Sequence, residues 1–556
     1  MTVDDFTKLF EPADVHVAQR LCALAGESEP TVALAVAFAV RAVRAGSVCV
    51  DLRSLAQQIG RPELPWPATA DWLKAVQVSP LVEQQVVHLL SGPDADLLYL
   101  DRYFREEQQV RDDVLTLVAA PQVAAAPGLE RLFPARWEEQ RRAADVALAQ
   151  SLTVLTGGPG TGKTTTVARL LALLAEQAAL AGRPRLRIAL AAPTGKAAAR
   201  LLEAVRSELG ALDAEDRDRL PELSASTLHR LLRPRPDNSS RFRHHRENRL
   251  PHDVIVVDET SMVSLTLMAR LLEAVRPDSR LVLAGDPDQL ASVEAGAVLA
   301  DLVDGLGARA GVRIATLHTS HRFGARIGEL AGAIRDGDAD RTVDVLRGGG
   351  DHIEWVDTDS PGDELRPVLL STALRLREAA ILGDARAALT TLDEHRLLCA
   401  HRRGPFGIAH WNRQVERWLT EATGEPIWAD WYAGRPVLVT ANDYGRKLYN
   451  GDTGVAILRG DGLRVVIGEQ EFAAGRLAEV DTMHAMTIHK SQGSQADEVT
   501  VLLPPEDSRL LTRELFYTAV TRAKTRVRVV AGEASVRAAV GRRAVRASGL
   551  ARRLAD

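Results

Sequence analysis

Cysteine, lysine and aromatic residues are all scarce in this chain. Its three cysteines, Cys22, Cys49 and Cys399, lie far apart and lack metal-ligand spacing. That speaks against a disulfide frame, a zinc knuckle or an iron–sulfur cluster and suits a reduced cytosolic protein. Aromatics make up only 4% of the chain, so long base-stacking platforms are not expected. No apolar run approaches membrane-spanning length. The start, Met1-Thr2-Val3-Asp4-Asp5, is acidic and has no signal-peptide pattern, so a cytoplasmic location is expected. The net charge of -5 argues against general stickiness to nucleic acid, yet it leaves room for a local basic groove. Lysine stands only at Lys8, Lys74, Lys163, Lys196, Lys447, Lys490 and Lys524. Where arginine is the default cation, a lysine in a loop suggests that a compact point charge was needed.

What is present is a strand, a glycine loop and a helix in register. The apolar run Leu152-Thr153-Val154-Leu155 leads into Gly157-Gly158-Pro159-Gly160-Thr161-Gly162-Lys163-Thr164, and a long helical pattern begins at Thr165. This context turns a G-x-x-x-x-G-K-[ST] match into a phosphate cradle, because glycines let backbone N–H groups turn inward at a positive helix end. Lys163 is expected to reach the β- and γ-phosphates, and the Thr164 hydroxyl to hold Mg²⁺. The chain is therefore expected to bind a nucleoside triphosphate. Gln140, on the amphipathic helix before the first strand, can face the adenine edge.

At 556 residues several domains are needed. Residues 1–128 read as a mostly helical module without catalytic spacing. A linker rich in Ala and Pro follows from Pro121 to Pro134. From there strands and helices alternate, the pattern of a parallel sheet with crossovers. Val254-Ile255-Val256-Val257 delivers Asp258 and Glu259 at the strand edge where ligands bind in such sheets. Asp258 can hold Mg²⁺, and Glu259 can orient or deprotonate an attacking water. Gln289, after Leu281-Val282-Leu283-Ala284, is a candidate γ-phosphate sensor. One lobe is expected over residues 129–317 and a second over 318–556. The second starts with helices near 325–336 and 362–393, and short β runs at about 425–480 have the texture of a small inserted barrel. Arg322 and Arg522 each stand beside an element boundary of this second lobe. Reaching across a cleft, they could stabilise transition-state charge and couple hydrolysis to lobe closure.

This ordered set resembles the motifs of superfamily 1 helicases, two P-loop motor domains of RecA type. The wording of Gly285-Asp286-Pro287-Asp288-Gln289-Leu290 and Thr487-Ile488-His489-Lys490-Ser491-Gln492-Gly493 is that of the 5′→3′ branch. Within it the chain is similar to the RecD family, the alpha subunits of RecBCD (exonuclease V) complexes. That similarity extends to Arg402-Arg403-Gly404-Pro405-Phe406-Gly407 and Leu448-Tyr449-Asn450-Gly451-Asp452-Thr453-Gly454. It implies ATP and Mg²⁺ as cofactors, with Thr165 among the nucleotide contacts. It implies that Thr194, Lys196, Thr227, His229, Thr487, His489 and Lys490 line a single-strand DNA track. It further implies an SH3-like fold for the insert, a strand-separating hairpin near 233–250, and action on DNA duplex ends. Residues 1–128 would dock to a RecC-like subunit, beside a RecB-like subunit that carries the nuclease. Gln495 departs from the pattern, which has Glu there, and carries no expected role.

Three other readings compete. A stand-alone paralogue would carry helix-hairpin-helix motifs, and none is found in 1–128. An ATP-regulated switch that never moves would not need two arginines beside a complete motif set. A nuclease in its own right would need an acidic cluster with a lysine, which is missing. Whatever the downstream work, Lys163→Ala should abolish ATP hydrolysis, a loss of several kcal/mol of transition-state stabilisation, while thermal unfolding stays unchanged. Steady-state ATPase turnover alongside a melting curve checks this.

Overall fold

The computed structural model describes residues 3–119, 128–235, 238–320, 325–358, 360–427, 429–443, 445–460 and 462–555. Two parallel sheets organise it. The first has six strands in the order Ala315–Leu317, Leu152–Gly157, Arg280–Gly285, Val254–Val257, Ile188–Ala192, Ala225–Thr227. All neighbours run parallel. Its central strands read as unbroken apolar runs because helices cover both faces. The second sheet has five parallel strands, ordered Ile353–Val356, Ala523–Val530, Ala496–Leu502, His395–Cys399, Ala485–Thr487. Between its last two strands the chain makes a five-stranded antiparallel sheet, from Pro436–Val439 through Val480–Thr482. That small sheet closes on its own core of Val437, Val439, Ala456, Val465 and Ile467. Among the described residues, no helix is long and apolar enough to cross a membrane.

The helix expected over 362–393 is two helices, Gly362–Ile381 and Ala385–Glu394. Gly383 breaks it with φ +69°, and Asp384 starts the next helix by accepting from the Ala387 amide at 2.9 Å. The expected linker differs too. Residues 121–127 lie outside the described residues, but from Leu129 the chain forms a helical turn, and Leu132 and Phe133 are buried in the first lobe. Composition hid two apolar anchors behind alanines and prolines.

The N-terminal module is not all helical. Cys49–Asp51, Asp96–Leu100 and Val87–Ser91 form a three-stranded antiparallel sheet beneath the helix Pro30–Arg44, which is buried nearly all round. Nor does its packing end at residue 128. The helix Asp101–Ala119 buries Val110, Val114 and Leu117 in the same core as Met268 and Leu272 of the first lobe. Gln109 adds a hydrogen bond to the Ala269 carbonyl at 2.9 Å.

The boundary 318–556 for the second lobe needs correction at its far end. After the helix Glu533–Gly541 the chain returns to the first lobe. Val48 donates to the Ala547 carbonyl, and Arg546 Nη1 to that of Gly46. The last helix, Leu550–Ala555, then buries Leu550 and Leu554 against Leu302 and Leu306. The approach is so close that a Cβ on Gly305 would lie 2.5 Å from the Ala551 carbonyl oxygen. Buried Glu107 fastens the return, accepting from Ser548 Oγ at 2.8 Å and the Gly549 amide at 3.1 Å. No short-range pattern announces such a crossing, because the helix is only six residues long. Leu550→Ala should therefore destabilise the first lobe by about 2–3 kcal/mol, as for buried leucines generally. Chemical denaturation would register it as a lower midpoint at unchanged slope.

Candidate nucleotide site and strand track

The phosphate loop leaves the strand Leu152–Gly157 and turns through Gly160 and Gly162, at φ +81° and +89°. Both are left-handed, which explains glycine at each. Thr161 Oγ1 bonds the Gly158 carbonyl at 2.9 Å, and Lys163 Nζ lies over the loop, 2.6 Å and 3.0 Å from the carbonyls of Gly157 and Gly158. The loop opens into a cavity of about 740 Å³. Pro159, Gly160, Gly162, Lys163, Thr164, Thr165, Gln140, Asp258, Glu259, Gln289 and Arg522 all line it. Gln140 is buried behind the loop, with Nε2 3.3 Å from the Thr161 carbonyl. Trp137, one turn earlier, also lines the cavity, with the Arg169 guanidinium 4.0 Å from its ring centre.

The two acids stand where the strand Val254–Val257 ends, and Glu259 sits in the left-handed region at φ +51°. For a residue with a side chain this is strained backbone, of the kind that collects at functional sites. Thr164 and Asp258 converge on the cavity beside Lys163, a hydroxyl and a carboxylate suited to a hard cation shared with phosphates.

A buried polar chain runs from the turn after the strand Arg280–Gly285 into the second lobe. Asp286 is 1% exposed and accepts from Gln289 Nε2 at 2.9 Å and from the Tyr517 hydroxyl at 3.1 Å. Gln289 Oε1 accepts from Arg522 Nη2 at 2.9 Å, and Arg522 Nε donates to the Thr518 carbonyl at 3.0 Å. Burial pushes the Asp286 carboxyl up, while Lys163 and these hydrogen bonds pull it down. Burial likewise lowers Arg522, opposed by Glu259 and Asp286. Thr518 Oγ1 accepts the Leu290 amide at 2.9 Å, and Arg200 reaches the Gly493 carbonyl at 2.6 Å, so the lobes are joined on both sides of the cavity. Arg322 lies outside the described residues. Its neighbour Ser320 bonds the Pro159 carbonyl at 3.1 Å, and Thr319 bonds Glu139 through backbone and hydroxyl.

Asp286, Tyr517 and Arg200 were not singled out from the sequence. Asp286 reads there as one polar residue of a turn; only the fold shows that it shares the cavity with Lys163. Gln495, left without a role, lines the cavity as well.

The threonines expected on the strand track share one geometry. Thr227 and Thr487 end strands and Thr194 follows one by two residues, and each caps the next helix, accepting from the amides of Arg230, Lys490 and Ala197 at 3.2, 3.3 and 3.2 Å. Each hydroxyl thus spends a lone pair on its cap and keeps its O–H as a donor. The capped helix starts add positive dipole ends, two at the carboxyl edge of the first sheet and one at that of the second. His229 packs beside Phe242, ring centres 5.8 Å apart, and burial lowers its pKa. Burial, with Arg546 and Arg402 nearby, lowers His489 as well. Lys196 and Lys490 point at the inserted sheet, with Nζ atoms 3.4 Å from the Gly451 carbonyl and 2.7 Å from Asn450 Oδ1. In the segment 233–250, residues 236–237 lie outside the described residues. Pro234–Arg235 pairs with Asn238–Phe242, while Phe242 is buried and Arg246 is tied to Asp113 at 2.9 Å.

A phosphate-loop lobe whose nucleotide cavity receives a buried arginine from a second parallel-sheet lobe defines a two-lobed P-loop protein. Three family models match in matching order: the RecBCD enzyme subunit RecD N-terminal domain over residues 7–91, an AAA domain over 140–295, and a UvrD-like helicase C-terminal domain over 482–530. The RecBCD enzyme subunit RecD of Mycolicibacterium smegmatis is 71% identical over 99% of both chains. That of Haemophilus influenzae is 34% identical over 77% of this chain and 74% of its own. The ATP-dependent RecD2 DNA helicase of Deinococcus radiodurans is 32% identical, over 77% of this chain and 54% of its own. The chain belongs to the RecD family. From the site geometry, Arg522→Ala should cut ATP turnover by about 10³-fold or more, as for arginine fingers generally, with a smaller change in nucleotide affinity. Single-turnover hydrolysis set against equilibrium binding of a fluorescent nucleotide separates the two.

Proposed function

We propose that this chain is an ATP-dependent 5′→3′ DNA helicase and the RecD-type motor subunit of a RecBCD-type helicase–nuclease acting at duplex ends. The observation that carries the reading is the buried chain Asp286–Gln289–Arg522, which ties the nucleotide cavity of one lobe to an arginine of the other. ATP bound with Mg²⁺ supplies the phosphoanhydride that water cleaves. Lys163 and the loop amides hold the phosphates, with Thr164 and Asp258 on the metal and Gln140 at the base edge. Glu259 orients the attacking water and takes its proton. Arg522, joined by Arg322, meets the charge that develops on the γ-oxygens. Gln289 bonds both Asp286 and Arg522, so loss of the γ-phosphate would be felt at once on the second lobe. Lobe closure and release then move a strand held by Thr194, Lys196, Thr227, His229, Thr487, His489 and Lys490.

The N-terminal module is the docking part, received by a RecC-like subunit, with cleavage left to a RecB-like subunit in the cytoplasm. Because the helix Asp101–Ala119 shares its core with the first lobe, docking is better tested on the whole chain than on a truncation at residue 129. Co-purification of the native protein with mass identification of its partners does so. The segment 233–250 is the candidate duplex-splitting hairpin, and the inserted sheet the SH3-like element. Polarity gives the sharpest test. A duplex with only a 5′ single-stranded tail should be opened, one with only a 3′ tail should not, and opening from the 3′ tail alone would refute the assignment.

A further inference from the structure

The turn 448–452 of the inserted sheet lies across the surface that the RecD-type reading gives to the DNA strand. It is a built turn. Lys447 and Gly451 take φ +55° and +96°, the Tyr449 amide donates to Asp452 at 2.7 Å, and the Asn450 amide to Asn442 at 2.9 Å. From it three acceptors reach three cations in the first turns of three separate helices. The Gly451 carbonyl meets Lys196, Asn450 Oδ1 meets Lys490, and the Tyr449 hydroxyl lies 3.4 Å from Arg230 Nη1. The Tyr449 ring also covers the start of the helix Gly195–Gly210, where a Cβ on Gly195 would lie 2.2 Å from the ring. Glycine at 195 admits that ring.

The Gly451 carbonyl is a poor match for the cation it occupies. Lys196 shares its surroundings with Arg200 and Arg396, opposed by Asp393 and Asp452, and burial with the two guanidiniums brings its pKa down to about 7. Against that it has a neutral carbonyl at 3.4 Å. A phosphodiester oxygen is a charged acceptor, and hydrogen bonds to charged acceptors are shorter and roughly twice as strong.

We propose that the turn 448–452 is a gate on the strand track. It holds Lys196, Lys490 and the Gly195 helix start in the described conformation, and an entering strand displaces it by offering phosphates to the same groups. The inference rests on the assignment of that track. It also joins strand loading to a movement of the inserted sheet, through Gly451 and the strand Thr453–Arg459 that follows.

Binding of a fluorescent oligodeoxythymidylate to the full-length chain tests this by stopped flow and equilibrium titration. Tyr449→Ala removes the ring over Gly195 and the contact with Arg230, and Asn450→Ala removes the contact with Lys490. Each should speed association and tighten binding by about 5-fold, the factor that one net hydrogen bond carries. Slower or weaker binding in both would make these side chains part of the grip and overturn the gate. Lys196→Ala, measured alongside, separates the two levels. If it weakens binding while Tyr449→Ala and Asn450→Ala change nothing, the gate alone falls. If it leaves binding unchanged, the track assignment falls and the gate with it. A melting curve for each variant confirms that the comparison is between folded proteins.

Discussion

The arrangement depends on one charged group kept out of water. Arg522 is 4% exposed, and its guanidinium reaches Gln289 rather than a carboxylate. A buried cation costs free energy unless it is hydrogen-bonded and balanced by nearby charge. The amide passes the interaction on to Asp286, itself buried near Lys163. The cations of the two lobes thus bracket one carboxylate, and the phosphate loop cannot change its charge without altering the balance at the second lobe. Tyr517 and Thr518 belong to the same helix, Arg513–Val520, so the link is held by a rigid element.

Much of the first lobe was legible in the sequence because its function lies at strand ends. Val254-Ile255-Val256-Val257 is apolar throughout and Leu152-Thr153-Val154-Leu155 apolar but for Thr153, and the polar residue after each such run must sit at the sheet's carboxyl edge. This local rule puts Lys163, Asp258 and Gln289 around one cavity without knowledge of the fold. It says nothing about a residue whose role comes from a partner distant in sequence. Asp286 and Tyr517 are 231 residues apart, and neither stands out until they meet. The turn 448–452 was readable as a family stretch, but its contacts with Lys196 and Lys490 come from tertiary packing alone. The helix split at Gly383 was readable in principle, since glycine followed by a capping Asp is a stop and a start.

The scarcity of lysine acquires a spatial meaning. Lys163 sits over the phosphate loop, while Lys196 and Lys490 face the turn 448–452. An ammonium can exchange one acceptor for another by a small rotation, whereas a guanidinium in a bidentate pair resists it. Arginines hold the fixed links, as Arg187 does with Asp253 and Arg131 with Asp216. Lys163, Lys196 and Lys490 stand where the proposed partners change, while Lys524 holds a fixed pair with Asp497.

The return of the last helix makes the second lobe an insertion in the first. Two stretches of chain cross between the lobes, one after Ala315–Leu317 and one after Glu533–Gly541. A body hung from two points swings more freely than it twists. Synthesis order adds a second consequence. Leu550 and Leu554 complete a core whose other members, such as Val110, Met268 and Leu302, were made hundreds of residues earlier. Domains usually fold as they emerge, the N-terminal part first. Here the side of the helix Val298–Ala308 that packs on Leu550 and Leu554 stays uncovered until those residues leave the ribosome. The first lobe is therefore finished only after the second has been made.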